Sequence, residues 1–239
     1  MIMDLSDLRN NPDLVEDIEK STLRMVTLAI YDYRTLARDI FKAEFDPVSD
    51  IGEDITREAL DRLGMSRIDQ RLFGKIDYKR ARYLFHPEYA VRQALFIDSK
   101  SEKIEGQNTA TLQLSQLSME VRQKRAGKEI QIKGKIPEVI DLKGVQYITT
   151  TIFVKYNYDR DKEQGVNELK SITIAAVPMG ILQDRYNPSS SDTIWLAGRN
   201  APSLGEEFRV RLSFARLKQK ASWRVQEIPM LSDEFSWSS

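Results

Sequence analysis

Asp98 and Lys100 are an acid and an ammonium two residues apart, and they close the apolar run Ala94-Leu95-Phe96-Ile97. Four consecutive apolar residues with aromatic and β-branched members predict a buried strand over 93–98. Alternation along a strand sets Asp98 and Lys100 on one face and Ser99 on the other. A carboxylate and an ammonium at the end of a core strand are costly to bury unless they pair or hold an ion. Asp77 supplies a second carboxylate, upstream in the alternating segment 75–84, which also reads as a strand. Two acids and a lysine at one point suit a hard divalent cation beside a scissile phosphate. A structural ion pair is the plainer use of the same residues.

Asp77-Tyr78-Lys79, Asp141-Leu142-Lys143 and Glu168-Leu169-Lys170 repeat the acid-x-lysine spacing. Asp141 lies between a proline-containing stretch and Gly144, which predicts a turn, and Glu168 opens a strand beside the charged segment 159–163. Only Asp98 combines a preceding apolar strand, a lysine on its own face and an upstream acid on another strand. Glu53 and Asp54 suit the dipole of a helix first turn, and Glu53 is a further candidate metal ligand.

The elements that must position these residues can be read along the chain. At 239 residues the sequence fits one large α/β domain over 1–239, with helices over 12–63, a catalytic core over 74–178 and a recognition and C-terminal segment over 190–228. Asn10-Asn11-Pro12 opens a long helix to about Ala43, with Val15, Ile18, Val26, Ile30, Tyr33, Ala37 and Phe41 on its apolar stripe. A second helix is expected over 50–63, with Asp50 and Glu53 spaced as a capping box. The polar stretch 101–111 reads as a loop in which Lys103, Gln107 and Asn108 could touch a phosphate backbone. Arg122, Lys124, Arg125 and Lys128 cluster beyond it, and β-rich strands follow at 149–158 and 170–177.

A hairpin is predicted near the end, with arms over 193–199 and 206–214. Phe208, Val210, Leu212 and Phe214 alternate with Arg209, Arg211 and Ser213, and Arg199 stands by the turn. One face is then core. The other presents arginines that fit guanine O6 and N7 bidentately, or cross-strand ion pairs. A helix-like piece over 214–225 and a polar tail close the chain.

Composition narrows the chemistry. The 36 basic and 36 acidic residues cancel, so any nucleic-acid surface must be locally basic. Zero cysteine excludes thiolate metal sites and disulfides, and suits a cytosolic protein. The one histidine, His86, stands in Phe85-His86-Pro87-Glu88, a surface turn by pattern, with no second histidine for a zinc site. Neither a Walker loop nor a GxGxxG fingerprint occurs, so no nucleotide cofactor is expected. No apolar run is long enough for a membrane span.

With Asp77, Asp98, Lys100 and the arginine hairpin in view, the chain resembles the PD-(D/E)xK nucleases, and among them the SfiI-like type II restriction endonucleases. Ile76-Asp77-Tyr78-Lys79-Arg80, Ser115-Gln116-Leu117, Arg185-Tyr186-Asn187-Pro188 and Arg216-Leu217-Lys218 carry this likeness over most of the chain. The resemblance implies a restriction-endonuclease-like fold, with a central mixed sheet flanked by helices and a DNA-reading β-hairpin. It implies Asp77 and Asp98 as Mg2+ ligands, Lys100 as the catalytic lysine, and Arg209 and Arg211 as readers of guanine. It further implies a homodimer or homotetramer in the bacterial cytoplasm, cutting double-stranded DNA at a palindromic, interrupted, GC-containing site. Ile76 stands where the general signature has proline, and Arg199 where the relatives carry lysine. The sequence also ends earlier than theirs, which bears on the assembly. A DNA-binding module without catalysis and a repair nuclease of the same fold remain the competing readings.

Overall fold

The computed structural model describes residues 5–44, 50–66, 81–104, 108–161, 165–196, 209–230 and 234–239. Two helices come first. α1 runs Pro12–Ala43, its Asn11 cap accepting from Leu14 N, and α2 runs Ile51–Asp61. Strands follow: β1 (Arg82–His86), β2 (Val91–Lys103), β3 (Thr109–Gln113), β4 (Val121–Arg125), β5 (Lys128–Ile132), β6 (Val139–Leu142), β7 (Val145–Arg160) and β8 (Asn167–Val177). The chain then forms α3 (Gln183–Tyr186), β9 (Trp195–Leu196), β10 (Arg209–Ser213), α4 (Phe214–Lys220) and β11 (Val225–Pro229).

Among the described residues, β1-β2-β7-β8-β11 make the main sheet, with β6 also paired to β7. The β2–β7 pair is parallel and the others are antiparallel, so the sheet is mixed. A second sheet has the order β3-β10-β9, and β4–β5 is a separate hairpin. Period-two alternation divides the core. Leu95, Ile152, Val154 and Tyr156 face α1 and α2. Phe153 faces the other way, into a cluster with Ala110, Leu112, Val210, Leu212 and Phe214 of the small sheet and α4. Helices, main sheet and small sheet are therefore stacked as three layers. Each fully buried Val, Leu, Ile or Phe side chain in them contributes about 1.5–3 kcal/mol.

Several expectations change. The strand expected over 75–84 is described only from its end, as β1 from Arg82 to His86, because 75–80 lie outside the described residues. His86 closes that strand and is buried, not in a surface turn; the turn begins at Pro87. Much of the supposed loop 101–111 is strand, since β2 continues to Lys103 and β3 starts at Thr109. Asp50 makes no capping hydrogen bond because its backbone is already helical. Asp141 lies in β6, and its carboxylate accepts from Gly144 N across the turn. The arginine strand is the middle of three strands, not half of a two-stranded ribbon, and it ends at Ser213, whose hydroxyl caps α4. β11, inside and beyond the expected helix-like segment, adds an edge to the main sheet.

Candidate active site

Parallel pairing with β7 holds β2 straight through the site, with Asp98 opposite Phe153 and Lys100 opposite Lys155. Asp98 is nearly buried, and its Oδ2 lies 3.8 Å from Lys100 Nζ. The Lys100 side chain is 34% exposed, and its ammonium donates to Thr111 O at 3.0 Å. Acid and ammonium thus share one face of β2, as strand alternation requires.

The opposite face is fixed by hydroxyl contacts. Ser99 Oγ donates to Thr56 Oγ1 at 2.8 Å, and Thr56 in turn bonds Tyr156 OH. Gly52 N donates to Ser101 Oγ at 3.1 Å, and a Cβ on Gly52 would stand 2.9 Å from both that oxygen and the Tyr156 ring. Only glycine allows α2 so close to β2. Glu53 follows, half-buried in the first turn of a helix that lies on the face opposite Asp98 and Lys100.

Sequence reasoning missed Lys155 and Glu102. Lys155 is 3% exposed, and its Nζ lies 2.8 Å from Glu102 Oε2 and 3.4 Å from Thr109 O. Glu102 is four residues beyond Asp98 on the same face. The available signal was a lysine inside the β-rich run Thr151-Ile152-Phe153-Val154-Lys155-Tyr156, since a buried ammonium demands a partner.

Arg209 and Arg211 are half-buried, while Val210 between them and Leu212 beyond are fully buried. Packing therefore sends both arginines to the outer face of the small sheet. Arg209 pairs with Gln113, and Arg211 lies between Thr111 and Leu196. Arg209 Nε has no hydrogen-bond partner among the described residues. Arg216 fixes β9 by donating to the carbonyls of Thr193 and Trp195. Lys103 and Asn108 are exposed near the ends of β2 and β3. In the basic cluster Arg122 is committed to Glu120 and Pro188 O. Asp77, Gln107 and Arg199 lie outside the described residues.

No group of three or more acid, histidine or cysteine side chains gathers among the described residues. Asp98, in the middle of β2, carries carboxylate oxygens of the kind a hard cation takes.

A family model described as type II restriction enzyme SfiI matches residues 15–228. The chain belongs to this family. The SfiI of Streptomyces fimbriatus is 36% identical over 234 residues, spanning 92% of this chain and 86% of that enzyme. The crystal structure of tetrameric SfiI bound to cognate DNA matches with a TM-score of 0.79 and 33% identity, over 95% of this chain and 88% of that one. The restriction endonuclease BglI bound to its DNA recognition sequence matches with a TM-score of 0.78 over 96% of this chain and 94% of its own, at 19% identity, a likeness of fold alone. The three-layer arrangement is thus the restriction-endonuclease-like mixed α/β fold. No helix among the described residues is long and apolar enough to cross a membrane.

Proposed function

We propose that the protein is a Mg2+-dependent endonuclease that cuts double-stranded DNA at a palindromic, interrupted, GC-containing site, acting as a homodimer or homotetramer in the bacterial cytoplasm. The observation that carries this reading is a short physical link between two kinds of site. Asp98 and Lys100 share one face of β2, Lys100 Nζ donates to Thr111 O, and Thr111 is the cross-strand partner of Arg211. Chemistry and base reading would then lie one strand apart. Family membership and the DNA-bound state of the SfiI structure support the same reading.

Asp77 and Asp98 would hold the ion; Glu53 could join them only by reaching round β2, because its helix packs on the face opposite Asp98. A bound Mg2+ supplies polarisation of the phosphate and a water of lowered pKa. Lys100 keeps one ammonium donor on the Thr111 carbonyl, gives another to a phosphate oxygen and stabilises the charge that develops there. Arg209 and Arg211, with Arg199, take guanine edges in the major groove. Lys103, Gln107 and Asn108 take backbone contacts. A two-fold assembly presents the same strand to each half of the site, which is why the site should be palindromic.

Plasmid digestion with Mg2+, and with Mg2+ plus a chelator, tests this reading. Discrete fragments that disappear with the chelator are expected. Binding without cleavage would leave a DNA-binding module, and a smear without discrete bands would leave a nuclease without site specificity.

A further inference from the structure

β3 forms one margin of the small sheet, and its carbonyls fall into two sets. Asn108 O accepts from Phe214 N at 3.1 Å. In an antiparallel pair, the carbonyls of Ala110 and Leu112 then turn the same way, toward β10, while those of Thr109 and Thr111 turn outward. Outward carbonyls at a covered edge need donors. Two lysines provide them, Lys100 at Thr111 O and Lys155 at Thr109 O. The two are partners across the parallel β2–β7 pair, so both ammonium groups rise from one rung of the main sheet. The buried charge on Lys155 is matched by Glu102, which shares its face of β2 with Asp98 and Lys100.

We propose that Lys155, charge-balanced by Glu102, is a positioning residue for phosphodiester hydrolysis: it pins β3 at Thr109 and so fixes where Lys100, resting on Thr111 O, meets the reacting phosphate. The proposal rests on the nuclease reading of Asp98 and Lys100. Without the Lys155 ammonium, Thr109 O and the Glu102 carboxylate both lose a donor. Lys100 is the neighbouring cation, and it is drawn toward them and away from the phosphate. Displacement of a reacting group by about 1 Å lowers a rate on the order of a hundredfold. The same seating spans the pair Thr111–Arg211, so the position of the recognition strand on DNA is transmitted to the lysine that does the chemistry.

The test compares wild type, Lys155→Met, Lys155→Arg and Glu102→Gln on the duplex identified by plasmid digestion. Single-turnover cleavage is measured at saturating enzyme with Mg2+. Affinity is measured separately with Ca2+ in its place, and folding by thermal denaturation. Lys155→Met should lower the saturating rate about a hundredfold with affinity held within about threefold, and Lys155→Arg should recover about tenfold of that loss. A fall in affinity or melting temperature with the saturating rate unchanged overturns the proposal, because the lysine then only docks the sheets. If Lys155→Met does not fold, Glu102→Gln decides: a rate loss of about tenfold or more supports the proposal, and a wild-type rate overturns it. Wild type that cuts no DNA overturns the nuclease reading and this inference together, whereas cutting at equal rates by wild type and Lys155→Met overturns the inference alone.

Discussion

Asp98→Ala removes the buried β2 carboxylate while leaving Arg209 and Arg211 untouched. Its cleavage rate should fall by about a thousandfold or more with cognate affinity retained, as single-turnover assays and gel-shift titrations would show. Cutting at the wild-type rate would rule out this site. The two arginines make the complementary case, because Val210 and Leu212 anchor their strand and so fix their direction. Arg209→Ala or Arg211→Ala should each lose about 1–3 kcal/mol of discrimination between a cognate and a scrambled duplex. Equal losses on both duplexes would make them phosphate contacts, with a smaller salt slope of binding. At this scale a charge that interrupts an apolar pattern marks the strand face of Asp98, Lys100, Arg209 and Arg211. The same signal at Lys155 passed unread because its partner, Glu102, belongs to a strand remote in sequence.

Between elements, α1 meets the sheet through polar contacts as well as apolar ones. His86 Nε2 lies 3.1 Å from both Thr22 Oγ1 and Gln93 Oε1, and Gln93 donates onward to Thr150. Burial lowers the His86 pKa below 6.5, against the opposing pull of Gln93 and Glu88. The unfolded chain therefore takes up a proton here before the folded one does. The stability contributed is full above pH 6.5 and is lost as pH falls through the lowered value. Urea midpoints at about pH 7.5 and 5.5 should fall for wild type and fall less for His86→Gln, which has no such proton to take up. Long periodic elements were legible beforehand: α1 runs as its apolar stripe predicts, and β2, β7 and β8 were seen by their apolar or β-branched runs. β3 and β11 were not. Thr109 to Gln113 and Val225 to Pro229 mix polar and apolar residues with no long apolar run, and pairing to distant partners makes them strands.

Across the whole molecule, one buried ion pair gathers the beginning and end of the chain. Arg224 and Glu19 are both fully buried, with Nη1 and Oε2 2.7 Å apart, and the guanidinium lies over the rings of Tyr186 and Trp223. Glu19 also accepts from Met179 N. Arg224→Met alone strands a carboxylate in the core and should destabilise by about 3–5 kcal/mol. Glu19→Leu combined with Arg224→Met should lose less than the single change, a difference that chemical denaturation of both variants resolves. The parallel join of β2 to β7 has a further consequence, in time. On β7 the partner of Asp98 is Phe153, and the strand that flanks Lys100 through β3 begins at Arg209. A chain emerging from the ribosome carries Asp98 and Lys100 early but cannot frame them until Phe153 and the strand from Arg209 have followed. Such non-local pairing also makes folding slow. A site built on Asp98 and Lys100 would therefore form only after β10 has been made, and not on the shorter growing chain.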